Sequence, residues 1–171
     1  KKDSDTIIDC DDLKPIYELT PRRTLEQYPI DPALKSLLNN DGFEYYNGKA
    51  QRDAVRVAIT AKSGSTIVIN LPTGSGKTLV MQGLCLDSPS TALTIVIVPT
   101  ISLSIDQSER IKDVLKMAKQ QTHAGPYCWH HGQTHEEHQQ IRTRIENQTQ
   151  KVLFCSPESI LGALLPVLFR V

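Results

Sequence analysis

From Lys49 onward the apolar positions alternate between two spacings. Ala50, Ala54, Val55, Val57 and Ala58 recur at near-helical intervals and predict a helix over 49–62. Short apolar runs then predict strands over 66–70, 93–98, 126–130 and 151–155. Between and after them, amphipathic stretches predict helices over 77–86, 103–119, 134–147 and 157–165. The run Leu93-Thr94-Ile95-Val96-Ile97-Val98 has almost no polar face, as expected of a parallel strand covered on both sides. Strand–helix alternation of this kind predicts a doubly wound α/β fold with a parallel sheet, whose ligands sit at the carboxyl ends of the strands. Thr134 and Glu137 have the spacing of a capping box, which fixes the start of the fourth of these helices. Residues 1–42 read differently. Pro15, Pro21, Pro29 and Pro32 break them into short clusters, and a partly extended lead-in with at most short helices is expected.

The strand expected over 66–70 runs straight into Leu71-Pro72-Thr73-Gly74-Ser75-Gly76-Lys77-Thr78, and a helix follows. A strand, a glycine-rich turn ending in Gly-Lys-Thr and a helix together form a phosphate cradle. Gly74 and Gly76 allow the backbone to turn its N–H groups inward, where a Cβ would obstruct. The positive end of the helix favours an anion. Lys77 is placed to reach the terminal phosphates, and Thr78 offers a hydroxyl to Mg²⁺. Thr73, Gly74, Ser75, Gly76, Lys77 and Thr78 are therefore the expected nucleotide-binding residues, with Lys77 and Thr78 nearest the chemistry. The general pattern wants a further glycine at position 71, where Leu71 stands.

Composition narrows the picture only a little. The 171 residues are 39 % apolar and 22 % charged, ordinary for one globular domain. Lys plus Arg and Asp plus Glu are both 19, so net charge does not indicate a nucleic-acid partner, although a local basic groove remains compatible with it. The acidic start (Asp3, Asp5, Asp9, Asp11, Asp12) reads as a solvated arm. No stretch approaches the roughly 20 apolar residues of a membrane span, so no membrane partner is expected. Cys10, Cys85, Cys128 and Cys155 are widely spaced and read as reduced thiols of an intracellular protein. His131, His135 and His138 have one-face helical spacing that can chelate zinc, near Cys128 and His130. Because Thr134 starts the helix, His131 lies before it, and no CxxC or HExxH is present. The group reads as the polar, partly exposed start of a helix.

Four segments line up in order: Lys49-Ala50-Gln51-Arg52-Asp53-Ala54, the phosphate loop, Val98-Pro99-Thr100-Ile101-Ser102-Leu103-Ser104-Ile105-Asp106-Gln107, and Phe154-Cys155-Ser156-Pro157-Glu158-Ser159. Over about residues 43–162 this series resembles the first RecA-like domain of superfamily 2 helicases, and most closely the RecQ-like DNA helicases, with their Q-motif, Pro-Thr-Gly-x-Gly-Lys loop, motif Ia and Ser-Pro-Glu motif Ib. The resemblance implies a P-loop NTPase fold, ATP and Mg²⁺ as cofactors, and Gln51 as the reader of the adenine edge, for which an amide that both donates and accepts is suited. It also implies single-stranded DNA, or a DNA fork, at Thr100, Ser102 and Ser156. Hydroxyls and free N–H groups past strand ends suit phosphates, and their ordinary alternative role is helix capping. RecQ-like proteins carry an aromatic and a basic residue shortly before the Gln. Here Tyr46-Asn47-Gly48-Lys49-Ala50-Gln51 is one residue out of phase, with Tyr46 as the aromatic that would stack on the base. Arg110, Lys112, Lys116 and Lys119 read as a solvated helix face.

The Walker B pair of the family, Asp-Glu-x-His, does not follow Cys155, and Ile7-Ile8-Asp9 lies before the loop and is too short to replace it. The last dozen residues are strongly apolar. The expectation is therefore an incomplete RecA-like domain over 43–171, cut after motif Ib. It would belong to an ATP-dependent DNA helicase whose second RecA-like domain is a further partner, and by itself it would hydrolyse ATP poorly. Such a protein is expected in the nucleus of a eukaryote or at the nucleoid of a bacterium. A nucleotide-binding scaffold without motor activity and a double-strand DNA translocase of the same superfamily are the alternatives.

Overall fold

The computed structural model describes residues 27–40, 42–120 and 123–170. The acidic start, Cys10, Pro15 and Pro21 lie outside the described residues. The elements in chain order are β1 (Tyr28–Pro29), α1 (Pro32–Leu38), β2 (Tyr45–Tyr46), α2 (Lys49–Ile59), α3 (Lys77–Asp87), β3 (Thr94–Ile97), α4 (Ile101–Met117), β4 (Cys128–Trp129), α5 (His135–Glu146) and β5 (Val152–Cys155). A short α6 (Pro157–Ser159) follows, then a π turn (Ile160–Leu164) and α7 (Leu165–Leu168).

The sheet is parallel, in the order β3-β5-β4. Thr94 to Ile97 pair with Val152 to Cys155, and Cys128 and Trp129 pair with Phe154 and Cys155. The central strand β5 is buried along its whole length, as its unbroken apolar sequence predicts. Its alternation assigns one set of residues to each face. Val152 and Phe154 join the cluster that holds Val55 of α2, Leu79 and Cys85 of α3, and Ile111 and Leu115 of α4. Leu153 and Cys155 join Ile141 and Ile145 of α5 and Leu164 and Val167 beyond α6. Helices thus cover both faces, which is the doubly wound arrangement. Lys151, buried at the start of β5, donates its amine to the carbonyl of Ser88 at 2.8 Å and ties the sheet to the C-cap of α3.

One strand expectation is corrected. Thr66–Asn70 is no strand: it makes no ladder and is exposed throughout, with Val68 at 91 %. A strand needs a neighbour for its N–H and C=O groups, and none of the described residues supplies one. The apolar run has the composition of a strand, but composition does not create a partner. Both faces of β3 are packed, Val96 against the first cluster and Ile95 against the second, but among the described residues its outer edge has no strand partner. Its residues are only half-buried, and Ile97 is 57 % exposed.

Boundaries follow local chemistry. Thr100 accepts from the Leu103 amide at 3.3 Å, so α4 begins two residues before the expected 103. The capping box of α5 is complete: Glu137 N–H donates to Thr134 Oγ1 at 3.2 Å, and Thr134 N–H donates to the Glu137 carboxylate at 2.8 Å. The single helix expected over 157–165 is broken into α6, the π turn and α7. Pro166 has no N–H to offer the preceding turn, and the backbone widens just before it. Within the lead-in, α1 buries Leu34 and Leu38 in the same cluster as α2 and α3. The pair β1–β2 is antiparallel.

Candidate functional site

The phosphate loop lies between the exposed segment 66–70 and α3. Gly74 and Gly76 adopt φ of 78° and 76°, the left-handed region that glycine occupies without strain. Gly76 is the N-cap of α3, and no side chain caps that end. Within the first turn of α3 the Leu79 amide donates to the Gly76 carbonyl at 3.1 Å, while the amides of Lys77 and Thr78 precede any acceptor of their own helix. Ser75 folds the loop on itself: its hydroxyl donates to the Pro72 carbonyl at 2.5 Å, and its amide donates to the same oxygen at 3.3 Å. Thr73, Gly74 and Lys77 are exposed, while Ser75, Gly76 and Thr78 are partly so. Leu71, at the position where the general pattern carries glycine, is buried in the core and anchors the start of the loop.

Gln51, on the first turn of α2, is only 3 % exposed. Its Nε2 donates to the Gly76 carbonyl at 2.9 Å, and its Oε1 accepts from the Asn47 amide at 2.7 Å. A Cβ at position 76 would collide with Gln51 Nε2 and approach Asn47 Nδ2 to 2.9 Å. Glycine at 76 is thus required twice, by its φ and by this contact. An amide has two N–H donors and two acceptor lone pairs, so Gln51 keeps one of each beyond these bonds.

Tyr46 does not serve as a stacking platform. It is 4 % exposed, and its hydroxyl donates to Asp31 at 2.8 Å. Burial, and then that bond to a carboxylate, push its pKa up to about 12. Asp31 also accepts from Arg56 at 2.6 and 2.9 Å, and the guanidinium holds its carboxyl below the ordinary range. The out-of-phase aromatic is a core residue of the β1–β2 flank. The neighbouring Arg52 instead lies over the ring of Tyr28, 4.5 Å from its centroid.

At the carboxyl rim of the sheet, Thr100 caps α4, and Ser102, the second residue of that helix, is exposed. Ser156 caps α6, accepting from the Ser159 amide at 3.4 Å, with the Ser159 hydroxyl 3.2 Å away. The ends of β3 and β5 bring these segments to one cleft of about 700 Å³. Its walls include Pro99, Ile101, Trp129, His131, Arg142 and Ser156. Thr100 and Ser156 each cap their own helix, and Ser102 lies two residues after Thr100 on the first turn of α4 without capping it. On α4, Arg110 pairs with Asp106 at 3.0 Å and Lys112 with Glu109 at 2.6 Å, the solvated face expected.

His130, His131 and His138 line one cleft without forming a metal site. Among the described residues no group of three His, Cys, Asp or Glu side chains is placed to hold a metal ion. His138 is stacked on Trp129, with ring centroids 4.0 Å apart, and its Nε2 lies 3.0 Å from the His130 carbonyl. Cys128 is buried, which raises its thiol pKa, and burial lowers that of His130. Sequence reasoning passed over Trp129 and Arg142. The available signal was the single tryptophan of the chain at a strand end, facing residues 138 and 142 at helical spacing.

A family model for DEAD/DEAH box helicases matches residues 49–169, from the first turn of α2 to just beyond α7. This chain belongs to the DEAD/DEAH box helicase family. The match contains the loop, Gln51 and both rim segments. Among curated relatives, the chain is 30 % identical over 153 residues to the ATP-dependent DNA helicase Q4 of Homo sapiens, covering 87 % of this chain and 11 % of the relative. It is 29 % identical over 141 residues to the ATP-dependent DNA helicase Q-like 5 of Arabidopsis thaliana, covering 82 % and 14 %. It is also 29 % identical over 137 residues to the ATP-dependent DNA helicase RecQ of Haemophilus influenzae, covering 75 % and 19 %. The chain therefore spans between about a tenth and a fifth of the length of these relatives. No solved structure matches it significantly. The RecA-like P-loop fold expected from the motifs is that of the family, and its RecQ-type relatives agree with the motif order.

Proposed function

We propose that this chain is the ATP-binding front of the motor domain of a RecQ-like DNA helicase, coupling ATP hydrolysis to movement on single-stranded DNA. The observation that carries this reading is the Gly74–Gly76 loop opening onto the uncapped start of α3, in a chain of the helicase family. Three features of the loop support phosphate binding: two left-handed glycines, the Lys77 and Thr78 amides that precede any helical acceptor, and the exposed Lys77 side chain. Lys77 binds and orients the β- and γ-phosphates, and Gly74, Ser75 and Gly76 line the cradle with Thr73 at its mouth. Gln51 holds Gly76 in place and offers its remaining N–H and lone pair to an adenine edge. Thr78, at the second position of α3, is the residue here that would hold Mg²⁺, whose charge offsets that of the phosphates when bound.

The single strand runs along the carboxyl rim over Thr100, Ser102 and Ser156. Thr100 and Ser156 keep their caps while their hydroxyl protons point to phosphates, and Ser102 contributes an uncommitted hydroxyl. The ATP-binding domain runs over 43–171 in this reading, with 27–40 packed on it as a flank. A second RecA-like domain of the same protein closes on the nucleotide and contributes the charge-stabilising arginine. The protein acts where DNA is, in the nucleus or at the nucleoid.

The test is fluorescence anisotropy of a labelled oligodeoxythymidine titrated with the chain. Thr100→Ala combined with Ser102→Ala should weaken strand binding several-fold and leave Mg-ATP affinity unchanged. Strand affinity unaffected by the double variant would overturn the placement of the strand.

A further inference from the structure

The cleft at the carboxyl rim has a wall that neither rim segment supplies. Trp129 ends β4 with its ring buried, and α5 lays two side chains against that ring. His138 stacks at 4.0 Å with planes 12° apart, and the Arg142 guanidinium carbon lies 5.4 Å from the centroid. Residues 138 and 142 are one helical turn apart on α5, so the helix presents both to the same plate. Arg142 Nε is buried and has no hydrogen-bond partner among the described residues. An unmade hydrogen bond at a buried donor costs about 1–3 kcal/mol, so such a group calls for a partner that completes it. Held by an aromatic face on a residue that lines the cleft, a planar guanidinium suits a phosphate oxygen pair better than any neutral group.

The other groups lining the cleft agree with that ligand. His130, His131 and His138 are donors or acceptors according to tautomer, and Ser156 and Ser159 carry hydroxyls. Glu158 is the one carboxylate among the lining residues. Pro99 and Ile101, at the start of α4, line the same cleft and belong to the segment proposed to carry the strand.

We propose that Arg142, positioned on Trp129, binds a backbone phosphate of the single-stranded nucleic acid that crosses the cleft, extending its path from the starts of α4 and α6 onto α5. This rests on the strand path proposed above. The ligand class is a phosphodiester, and the wall contributes to affinity without selecting a base sequence.

Trp129 is the only tryptophan of the chain, so its emission reports this wall alone. The experiment follows Trp129 fluorescence and oligodeoxythymidine anisotropy together across a salt series. It uses the wild-type chain, Arg142→Gln, Arg142→Lys and the Thr100→Ala/Ser102→Ala pair, each checked for an unchanged thermal melt. Wild type should bind with a change in Trp129 emission. Arg142→Gln should weaken binding about tenfold and lower the salt slope by about 0.7, the value of one phosphate contact on a single strand. Arg142→Lys should restore the slope but only part of the affinity, because it keeps the charge and loses the fork. Wild-type affinity and slope in Arg142→Gln, with weakened binding in the Thr100/Ser102 variant, would overturn the assignment to Arg142 and leave the strand path standing. No strand binding by any form would overturn both. Inorganic phosphate changing Trp129 emission as the oligonucleotide does, at equal ionic strength, would overturn the phosphodiester assignment in favour of a small-anion site.

Discussion

Gln51 Nε2 donates to the carbonyl oxygen of Gly76 at 2.9 Å, joining the first turn of α2 to the residue that opens α3. The same side chain accepts from the Asn47 amide at 2.7 Å, so one buried amide fixes both the approach to α2 and the floor of the phosphate loop.

Gln51→Ala should therefore do two things at once. It leaves the Asn47 N–H and the Gly76 C=O without their partner, which costs about 1–3 kcal/mol. Urea unfolding should show a lower midpoint with an unchanged slope. Nucleotide affinity should fall as well, because Gly76 loses its tether. Gln51→Glu keeps an acceptor for Asn47 but turns a second oxygen toward the Gly76 carbonyl, and should be no more stable than Gln51→Ala. Wild-type stability in both variants would show that the tether contributes nothing.

Gly76→Ala should be the most damaging single change in the loop. The added methyl meets Gln51 Nε2 and demands a left-handed φ of 76° from a residue with a Cβ. Nucleotide binding should be lost. A variant that binds as wild type does would mean the loop rearranges freely. Gly74→Ala, whose Cβ meets nothing within 4 Å, should suffer only the φ penalty and keep part of its affinity.

The expected pH dependence comes from His123. Its Nδ1 accepts from the Gly125 amide at 3.1 Å, its ring stacks on Tyr127, and burial and the nearby Arg144 hold its pKa down to about 4, from an ordinary 6.5. The folded pKa is depressed, so the neutral ring's contribution is fully present above 6.5. It is lost as pH falls toward about 4, because the unfolded chain binds the proton first. Stability measured by urea at a series of pH values should drop over that window by about 1–2 kcal/mol once partial exposure is allowed for. His123→Gln should flatten that segment of the curve. An unchanged slope in the variant would exclude His123 as its source.

Thr134→Ala removes the acceptor for the Glu137 amide and opens the capping box of α5, the helix that carries His138 and Arg142. A loss of about 1 kcal/mol is expected by urea unfolding. Thr134→Asp should recover most of it, since aspartate caps as well and suits the positive helix end. A loss that Thr134→Asp does not recover would place the effect outside the cap.

Much of this was legible from residue patterns because the interactions involved are local. The capping box lies within four residues, and β5 declares its two-sided burial through Val152-Leu153-Phe154-Cys155 alone. The glycines of the loop announce their backbone conformation by type. What sequence could not supply is partnership at long range. Ile67, Val68 and Ile69 look like a strand, yet pairing depends on a neighbour that local pattern does not encode. Tyr46 looked like a base platform because of its position before Gln51, and only the fold brings Asp31 and Arg56 around its hydroxyl. Arg142 and Trp129 meet across an element boundary, so neither residue signals the other in sequence.

The central claim, that the amides between Pro72 and Thr78 with Lys77 form a triphosphate cradle, is tested most directly by calorimetric titration of Mg-ATP into the wild-type chain and Lys77→Ala. Loss of a charge-assisted contact should weaken binding by about tenfold to a hundredfold while the thermal melt stays the same. Equal affinity of the two proteins for Mg-ATP would contradict the cradle.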